Sequence, residues 1–225
     1  MAGAAYPGQF VMVYMPREHK YLLPRPFSIF RLNRVREEVS ILFEVKGKGT
    51  ELLAHTKRGS QLRIMGPLGT GFPALPEGSL LVAGGIGIAP LVFLAAAEGK
   101  PCTLIYGART ASQLICPPDD LTLPNLTILE VTEDGSKGAK GSVSDLLPGL
   151  VSGAPALFAC GPRQMLRAVK ALCGHSGPPA WFSMEERMAC GIGACLGCAV
   201  QTKTGYRRVC RDGPVFSAGE VFFDD

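Results

Sequence analysis

The stretch Cys190-Gly-Ile-Gly-Ala-Cys195-Leu-Gly-Cys198, answered after a gap of eleven residues by Cys210, decides how the chain is read. Its spacing, C-x4-C-x2-C followed by a distant fourth cysteine, is the plant-type iron-sulfur pattern. Four thiolates, from Cys190, Cys195, Cys198 and Cys210, can hold two irons with bridging sulfides. Gly191, Gly193 and Gly197 let the backbone fold tightly and aim amides at sulfur. A [2Fe–2S] cluster is therefore expected. Structural zinc competes, but it usually shows two separated C-x2-C knuckles, whereas this set is lopsided. A disulfide framework is disfavoured by the crowding of thiols around Cys195 and Cys198 and by the lack of a secretory signal.

Around this stretch the composition is that of a globular protein. Of 225 residues, 47% are hydrophobic and 19% charged, which suffices for two compact units and a small appendage. The 28 glycines and 18 prolines mark many tight turns without any repeat period. The formal net charge of +4 is small and dispersed, and basic residues do not run with aromatics, so nucleic acid is not an expected partner. Apolar runs such as Leu80–Ala83 and Pro90–Ala97 fall far below the roughly 20 residues that cross a bilayer, so the protein reads as soluble with no membrane partner. Eight cysteines without a leader fit a reducing cytoplasm. Cys102, Cys116 and Cys173 lack partner spacing and read as small buried hydrophobes. His19, His55 and His175 are scattered and receive no role.

Two patterns divide the chain upstream of the cysteines. Residues 1–75 contain short β-rich runs, Gln9–Tyr14, Phe27–Phe30, Val39–Val45 and Gln61–Met65, separated by Pro, Gly and charged turns, which predicts an antiparallel barrel. Residues 76–183 alternate near-continuous apolar runs, Ser79–Ala83, Cys102–Tyr106, Leu126–Val131 and Ala156–Ala159, with helical stretches. That predicts a parallel sheet covered on both faces. Helices are predicted over Pro90–Ala97 and Arg163–Leu172, the second burying Met165, Leu166, Val169 and Leu172 and stopping at Gly174. Residues 184–225 carry the cluster. The expected class is thus α+β and multidomain: antiparallel barrel, α/β parallel-sheet unit and small C-terminal module. The loop Gly84-Gly-Ile-Gly-Ile-Ala-Pro90 lies between a strand and its helix, where amides at a helix start can meet a pyrophosphate or glycines can simply allow a packing turn.

The run Met184-Glu-Glu-Arg-Met-Ala-Cys190, continued to Cys198 and closed by Arg208-Val-Cys-Arg-Asp-Gly-Pro-Val-Phe216, closely resembles the iron-sulfur tail of the electron-transfer subunit of NAD-dependent dihydroorotate dehydrogenase. Nearly the whole chain fits that family, whose members have the ferredoxin-reductase layout of flavin barrel, nicotinamide domain and cluster module. The resemblance implies FAD, a [2Fe–2S] cluster and NAD(H) as cofactors. Arg25-Pro-Phe-Ser28 resembles the family's Arg-x-Tyr/Phe-Ser signature, which implies Arg25 at the flavin pyrophosphate and Pro26, Phe27 and Ser28 at the isoalloxazine ring. A planar guanidinium suits phosphate oxygens, and a serine hydroxyl can hydrogen-bond the N5 edge. We assign Phe43, Glu44 and Val45, with Gly49 and Thr50 of Lys46-Gly-Lys-Gly-Thr50, to the same site. Glycine there permits close approach, and Thr50 is expected to cap a helix whose N-terminus can hold a phosphate. Gly66-Pro-Leu-Gly-Thr-Gly-Phe72 follows at the family's place. Gly84, Gly85 and Gly87, Arg109 of Tyr106-Gly-Ala-Arg-Thr110 and Cys160 of Cys160-Gly-Pro162 resemble the family's nucleotide contacts, with Cys160 facing the nicotinamide. Arg109 and Thr110 would also suit the extra phosphate of NADPH, whereas the resemblance favours NADH. One departure stands out: family members carry a further strand before Pro7-Gly-Gln-Phe10, so a barrel edge is expected to lie open.

No acid–base dyad is apparent, as expected where hydride passes between nicotinamide and flavin through stacking and orientation. The order of modules implies electrons exchanged in pairs at FAD and singly at the cluster. By resemblance, the partner is the FMN-containing catalytic dihydroorotate dehydrogenase subunit, in a heterotetramer with two copies of each, with orotate formed there and NAD+ reduced here. The alternatives are a related flavin iron-sulfur subunit serving a hydrogenase, sulfite reductase or ferredoxin:NADP reductase, and a non-catalytic redox or metal sensor.

Overall fold

The computed structural model describes residues 5–15, 22–115, 123–174 and 176–223; Cys116, His19 and His175 lie outside them. Strands Phe10–Tyr14 (β1), Arg25–Asn33 (β2), Glu38–Ile41 (β3) and Arg63–Leu68 (β4) form an antiparallel sheet in the order β3-β2-β1-β4. Side chains alternate across a strand, and here both faces are covered. Val11 and Val13 join Phe27, Ile29 and Phe93 in one core, whereas Phe10 and Met12 join Cys198, Val200, Val209 and Cys210 in another. β1 therefore faces the first sheet's own core on one side and, on the other, a core shared by the second sheet and the cysteine module. Among the described residues the sheet is open, with β3 and β4 as its edges. The strand expected over 39–45 ends at Ile41 because the chain leaves β2 there and runs on to a helix, Lys48–Ala54 (α1).

The second sheet contains Ser79–Gly84 (β5), Cys102–Ala108 (β6), Leu126–Thr132 (β7), Ala139–Lys140 (β8), Leu157–Cys160 (β9), Ala180–Ser183 (β10) and a late strand, Val215–Ser217 (β13). Its order is β13-β10-β9-β5-β6-β7-β8, with every pair parallel except β10 with β13. Such a sheet must be covered on both faces. Ile88–Glu98 (α2) covers one face, and Ile88 through Ala95 are all buried because the helix lies between this sheet and β2 of the first. A helix apolar all round belongs in such a place. The other face carries the short helices Val143–Leu146 (α3) and Pro148–Val151 (α4) and the longer Arg163–Cys173 (α5). α5 buries Leu166, Val169 and Cys173, an i, i+3, i+7 stripe. The expected Leu172 is instead 39% exposed, since the stripe drifts one position past it. Cys102 and Cys173 are buried as expected, and burial pushes the Cys102 thiol up to about 11.

After β10 the chain forms the cysteine loop, a hairpin of Ala199–Thr202 (β11) and Gly205–Arg208 (β12), and the helical turn Val209–Asp212 (α6), then returns as β13. The return stitches the module to both sheets. Met184 N donates to Pro214 O at 2.9 Å, and Thr70 N donates to Gly213 O. β13 and the parallel position of β10 were not legible as strands from the residue pattern. No described helix is long and apolar enough to cross a membrane.

Candidate functional site

The cysteine loop is shaped by backbone amides that turn inward. Ala194 N and Cys195 N donate to Cys190 Sγ at 3.3 and 3.4 Å, Gly193 N to Cys210 Sγ at 3.1 Å, and Cys210 N to Cys198 Sγ at 3.4 Å. The sulfurs fall into an outer pair, Cys190 and the exposed Cys195, and an inner pair, Cys198 and Cys210, each 2% exposed. Amide donation, first from Ile192, lowers the Cys190 thiol to about 6, whereas burial, followed by the neighbouring Cys198 thiol, pushes Cys210 up to about 12. Gly191 has φ +72 and lies against β1 and β4; a Cβ there would stand 2.7 Å from Met12 Cγ and 3.2 Å from Met65 Cε. Only glycine meets both conditions cheaply. Among the described residues no three His, Cys, Asp or Glu side chains converge closely enough to hold a single metal ion. Four thiols in two pairs, ringed by amides directed at sulfur, fit the donor set of a binuclear iron-sulfur cluster better than a mononuclear cage.

A cleft of about 290 Å³ opens beside this loop, at the lower end of the volumes of small-molecule sites. One wall is Arg25, Pro26, Phe27, Ser28, Phe43 and Thr50. The Phe27 and Phe43 rings lie 5.6 Å apart at 55°, making an aromatic surface. Arg25 is braced by donation from Nη1 to Leu23 O at 2.8 Å, and Gly49 lies beside its guanidinium, where a Cβ would make ordinary contact at 3.4 Å from Nε. Glu44 also lines the cleft, but Val45 is absent from its wall and 55% exposed. Thr50 is not the helix cap. α1 begins at Lys48 with extended Gly47 at its N-cap, and Thr50 Oγ1, one turn in, accepts from Lys46 N at 3.0 Å and Gly47 N at 3.2 Å. The rest of the lining includes Ile86 from the turn after β5, Ala89 from the start of α2 and, from a segment given no cleft role in the sequence, Met184, Glu185 and Met188. The segment leading to Cys190 thus closes the cleft. A braced guanidinium, an aromatic surface and a hydroxyl at Ser28 fit a flavin carrying a pyrophosphate.

The glycine loop after β5 meets the turn after β9. A Cβ on Gly84 would lie 2.8 Å from both Met165 Sδ and Pro162 Cδ, and one on Gly87 only 2.1 Å from Cys160 O. Those two glycines let the turns touch, whereas Gly85, with φ +53, faces open space. Arg109, at the end of β6, is exposed and stands apart from the cleft wall. Cys160 is 1% exposed, and burial, reinforced by the negative charge of Glu185, holds its thiol well above the usual range. Its Sγ lies 4.0 Å from Glu185 Oε1. Glu185 is exposed as a residue, but it lines the cleft and its Oε1 turns toward Cys160. Desolvation there raises its pKa, with Lys46 opposing and Glu44 adding to the rise.

An antiparallel sheet, a parallel nucleotide-type sheet, a ligand cleft at their seam and a four-cysteine loop together define a ferredoxin-reductase-like electron-transfer protein with an iron-sulfur module. The structure is similar to that of an NADH-dependent reduced ferredoxin-NADP oxidoreductase studied for flavin-based electron bifurcation, with TM-score 0.87 at 29% identity over 99% of this chain and 82% of that one. The fold is shared with the FAD/NAD-binding domain of nitric oxide dioxygenase from Vibrio cholerae, with TM-score 0.64 at 18% identity over 79% of this chain and 86% of that one. Residues 185–222 match the iron-sulfur cluster binding domain of dihydroorotate dehydrogenase B, and residues 81–171 the oxidoreductase NAD-binding domain. The chain belongs to the family of dihydroorotate dehydrogenase B (NAD(+)) electron transfer subunits. It is 39% identical to the member from Caldanaerobacter subterraneus over 97% of this chain and 87% of that protein. It is likewise 39% identical to the member from Bacillus caldolyticus over 96% of this chain and 86% of that protein.

Proposed function

We propose that this protein carries electrons between a catalytic dihydroorotate dehydrogenase subunit and NAD+ in pyrimidine biosynthesis, using a [2Fe–2S] cluster and FAD. One observation carries the reading: Met184, Glu185 and Met188, on the segment that leads to Cys190, form a wall of the flavin cleft, so the one-electron and two-electron sites share a boundary. When bound, the cofactors supply hydride exchange at flavin and nicotinamide and single-electron exchange at iron.

The chain's own residues do the rest. Cys190, Cys195, Cys198 and Cys210 hold the irons, and the amides of Gly193, Ala194, Cys195 and Cys210 share the charge on their sulfurs. Arg25 would bind the flavin pyrophosphate, Pro26, Phe27 and Phe43 would seat the ring and Ser28 would supply a hydroxyl, while Thr50 orders the turn into α1 beside them. Gly84, Gly85 and Gly87 shape the nicotinamide-side loop, Arg109 would meet the nucleotide, and Cys160, dry and un-ionised, would face the nicotinamide. No side chain needs to act as an acid or base for hydride to pass between stacked rings.

The partner in this reading is the FMN-containing catalytic subunit, in a cytoplasmic heterotetramer with two copies of each. Residues 1–75, 76–183 and 184–225 act as flavin, nicotinamide and cluster units, with β13 returning from the last to the sheet of the second. Co-expression of both subunits followed by gel filtration and a visible spectrum tests this. A single peak with iron, flavin and dihydroorotate-dependent NAD+ reduction is expected. Separate peaks, or a colourless protein, would refute it.

A further inference from the structure

The hairpin beyond the cysteine loop carries a charge network that the route above does not use. Arg208 ends β12 two positions before Cys210. Its Nε and Nη2 donate to Oδ2 and Oδ1 of Asp212 at 3.0 and 3.2 Å, a bidentate fork, and its own backbone N–H donates to the same carboxylate at 2.8 Å. The remaining nitrogen, Nη1, donates to the carbonyl of Gly193 at 3.3 Å. Gly193 in turn donates its N–H to Cys210 Sγ. One side chain therefore grips the residue whose amide points at an inner sulfur. Gly193 is also packed by the next arginine, since a Cβ there would lie 2.8 Å from Arg211 Cδ and 3.5 Å from Arg208 Nη1.

We propose that Arg208 is a positioning residue that sets the reduction potential of the cluster. Pinned by Asp212, its guanidinium keeps a fixed positive charge and the Gly193 amide against the buried Cys198–Cys210 pair. The proposal rests on the cluster assignment above. Its physics is a difference between two redox states: one-electron reduction adds a negative charge, and a fixed cation and amide donors stabilise the more negative state more. A free surface lysine would be hydrated and mobile, whereas a forked guanidinium holds its place. The pair is partly exposed, with side chains 29% and 17% accessible, and so adds little to stability. Its placement is what the cluster would sense.

The test uses the whole protein prepared anaerobically. Iron and sulfide content and the visible spectrum come first, followed by a dithionite titration with redox dyes read by absorbance and electron paramagnetic resonance. Arg208→Gln is expected to keep the cluster and to raise its oxidised-to-reduced ratio about tenfold at a fixed potential, equivalent to about 59 mV for a one-electron couple. Asp212→Asn removes the anion and is expected to shift the ratio the opposite way, while Arg208→Lys keeps the charge and stays closer to wild type than the Gln variant. A Gln variant with full iron and an unchanged midpoint overturns the proposal. So do Gln and Asn variants that shift in the same direction, the mark of simple loosening. Should Arg208→Gln lose iron, Arg208→Lys decides: retained iron with a near-wild-type midpoint supports the role of the charge, and iron loss there as well overturns it. Wild-type protein without iron would instead sink the cluster assignment itself, and the proposal with it.

Discussion

Gly87→Ala adds one methyl group where the turn after β5 meets the turn after β9. The new carbon would lie 2.1 Å from Cys160 O, 2.5 Å from its carbonyl carbon and 2.8 Å from Gly161 N. Unbonded carbon and oxygen sit at separations above about 3 Å, so the two turns must part by about 1 Å. No rotamer change relieves the contact, because all three atoms are main chain. The surroundings cannot yield either, since Val82, Ile88 and Cys160 are at most 1% exposed. Overpacking costs about 1–3 kcal/mol where side chains adjust, so at least about 3 kcal/mol is expected here. For a chain of this size that lowers the melting temperature by about 6–12 °C. Gly85→Ala, two residues earlier in the same turn, is the control. It meets no atom within 4 Å but has φ +53, so it should cost only left-handed strain of about 1 kcal/mol and about 2–4 °C. Thermal unfolding of FAD-saturated protein, followed by circular dichroism, measures both. A Gly87→Ala melt within about 2 °C of wild type, or above that of Gly85→Ala, would refute the reasoning. Were Gly87 kept only for approach to a phosphate, its substitution would spare the melting temperature and raise the KM for NADH instead.

Arg25→Ala removes the braced cation from the cleft wall and should weaken FAD binding roughly 10- to 100-fold, read by flavin retained after gel filtration, with unchanged retention counting against the pyrophosphate role. Cys195→Ser, at the exposed corner of the loop, should abolish the cluster absorption and leave FAD bound; a full cluster spectrum would overturn that ligand assignment. Glu185 has its folded pKa raised above the ordinary 4.5, first by desolvation, so the fold favours the protonated form. Its contribution is therefore complete below pH 4.5 and is lost as pH rises through the folded value. Glu185→Gln should then raise the melting temperature at pH 7 and leave it unchanged at pH 4, and an equal effect at both would contradict the desolvation argument.

Local pattern disclosed a good deal about this protein. The spacing of four cysteines, the short β-rich run Gln9–Tyr14 and the near-continuous apolar runs of β5, β6, β7 and β9 are properties of neighbouring residues, so the two sheets and the cysteine module were legible before any contact was known. Arg25, Phe27, Ser28, Phe43 and Thr50 were assigned through the family resemblance, and they do share one cleft. Tertiary structure decided what no short window contains. β10 and β13 exist as strands because β9 and each other offer unsatisfied backbone edges. Cys173 displaced Leu172 from the core because helix phase is set by the sheet beneath. Gly84 and Gly87 serve packing because another turn presses on them, and Glu185 and Met188 became cleft residues because the C-terminal segment folds back over a sheet formed far earlier in the chain. Burial, desolvation and steric contact depend on residues distant in sequence, and only the closed fold brings those together.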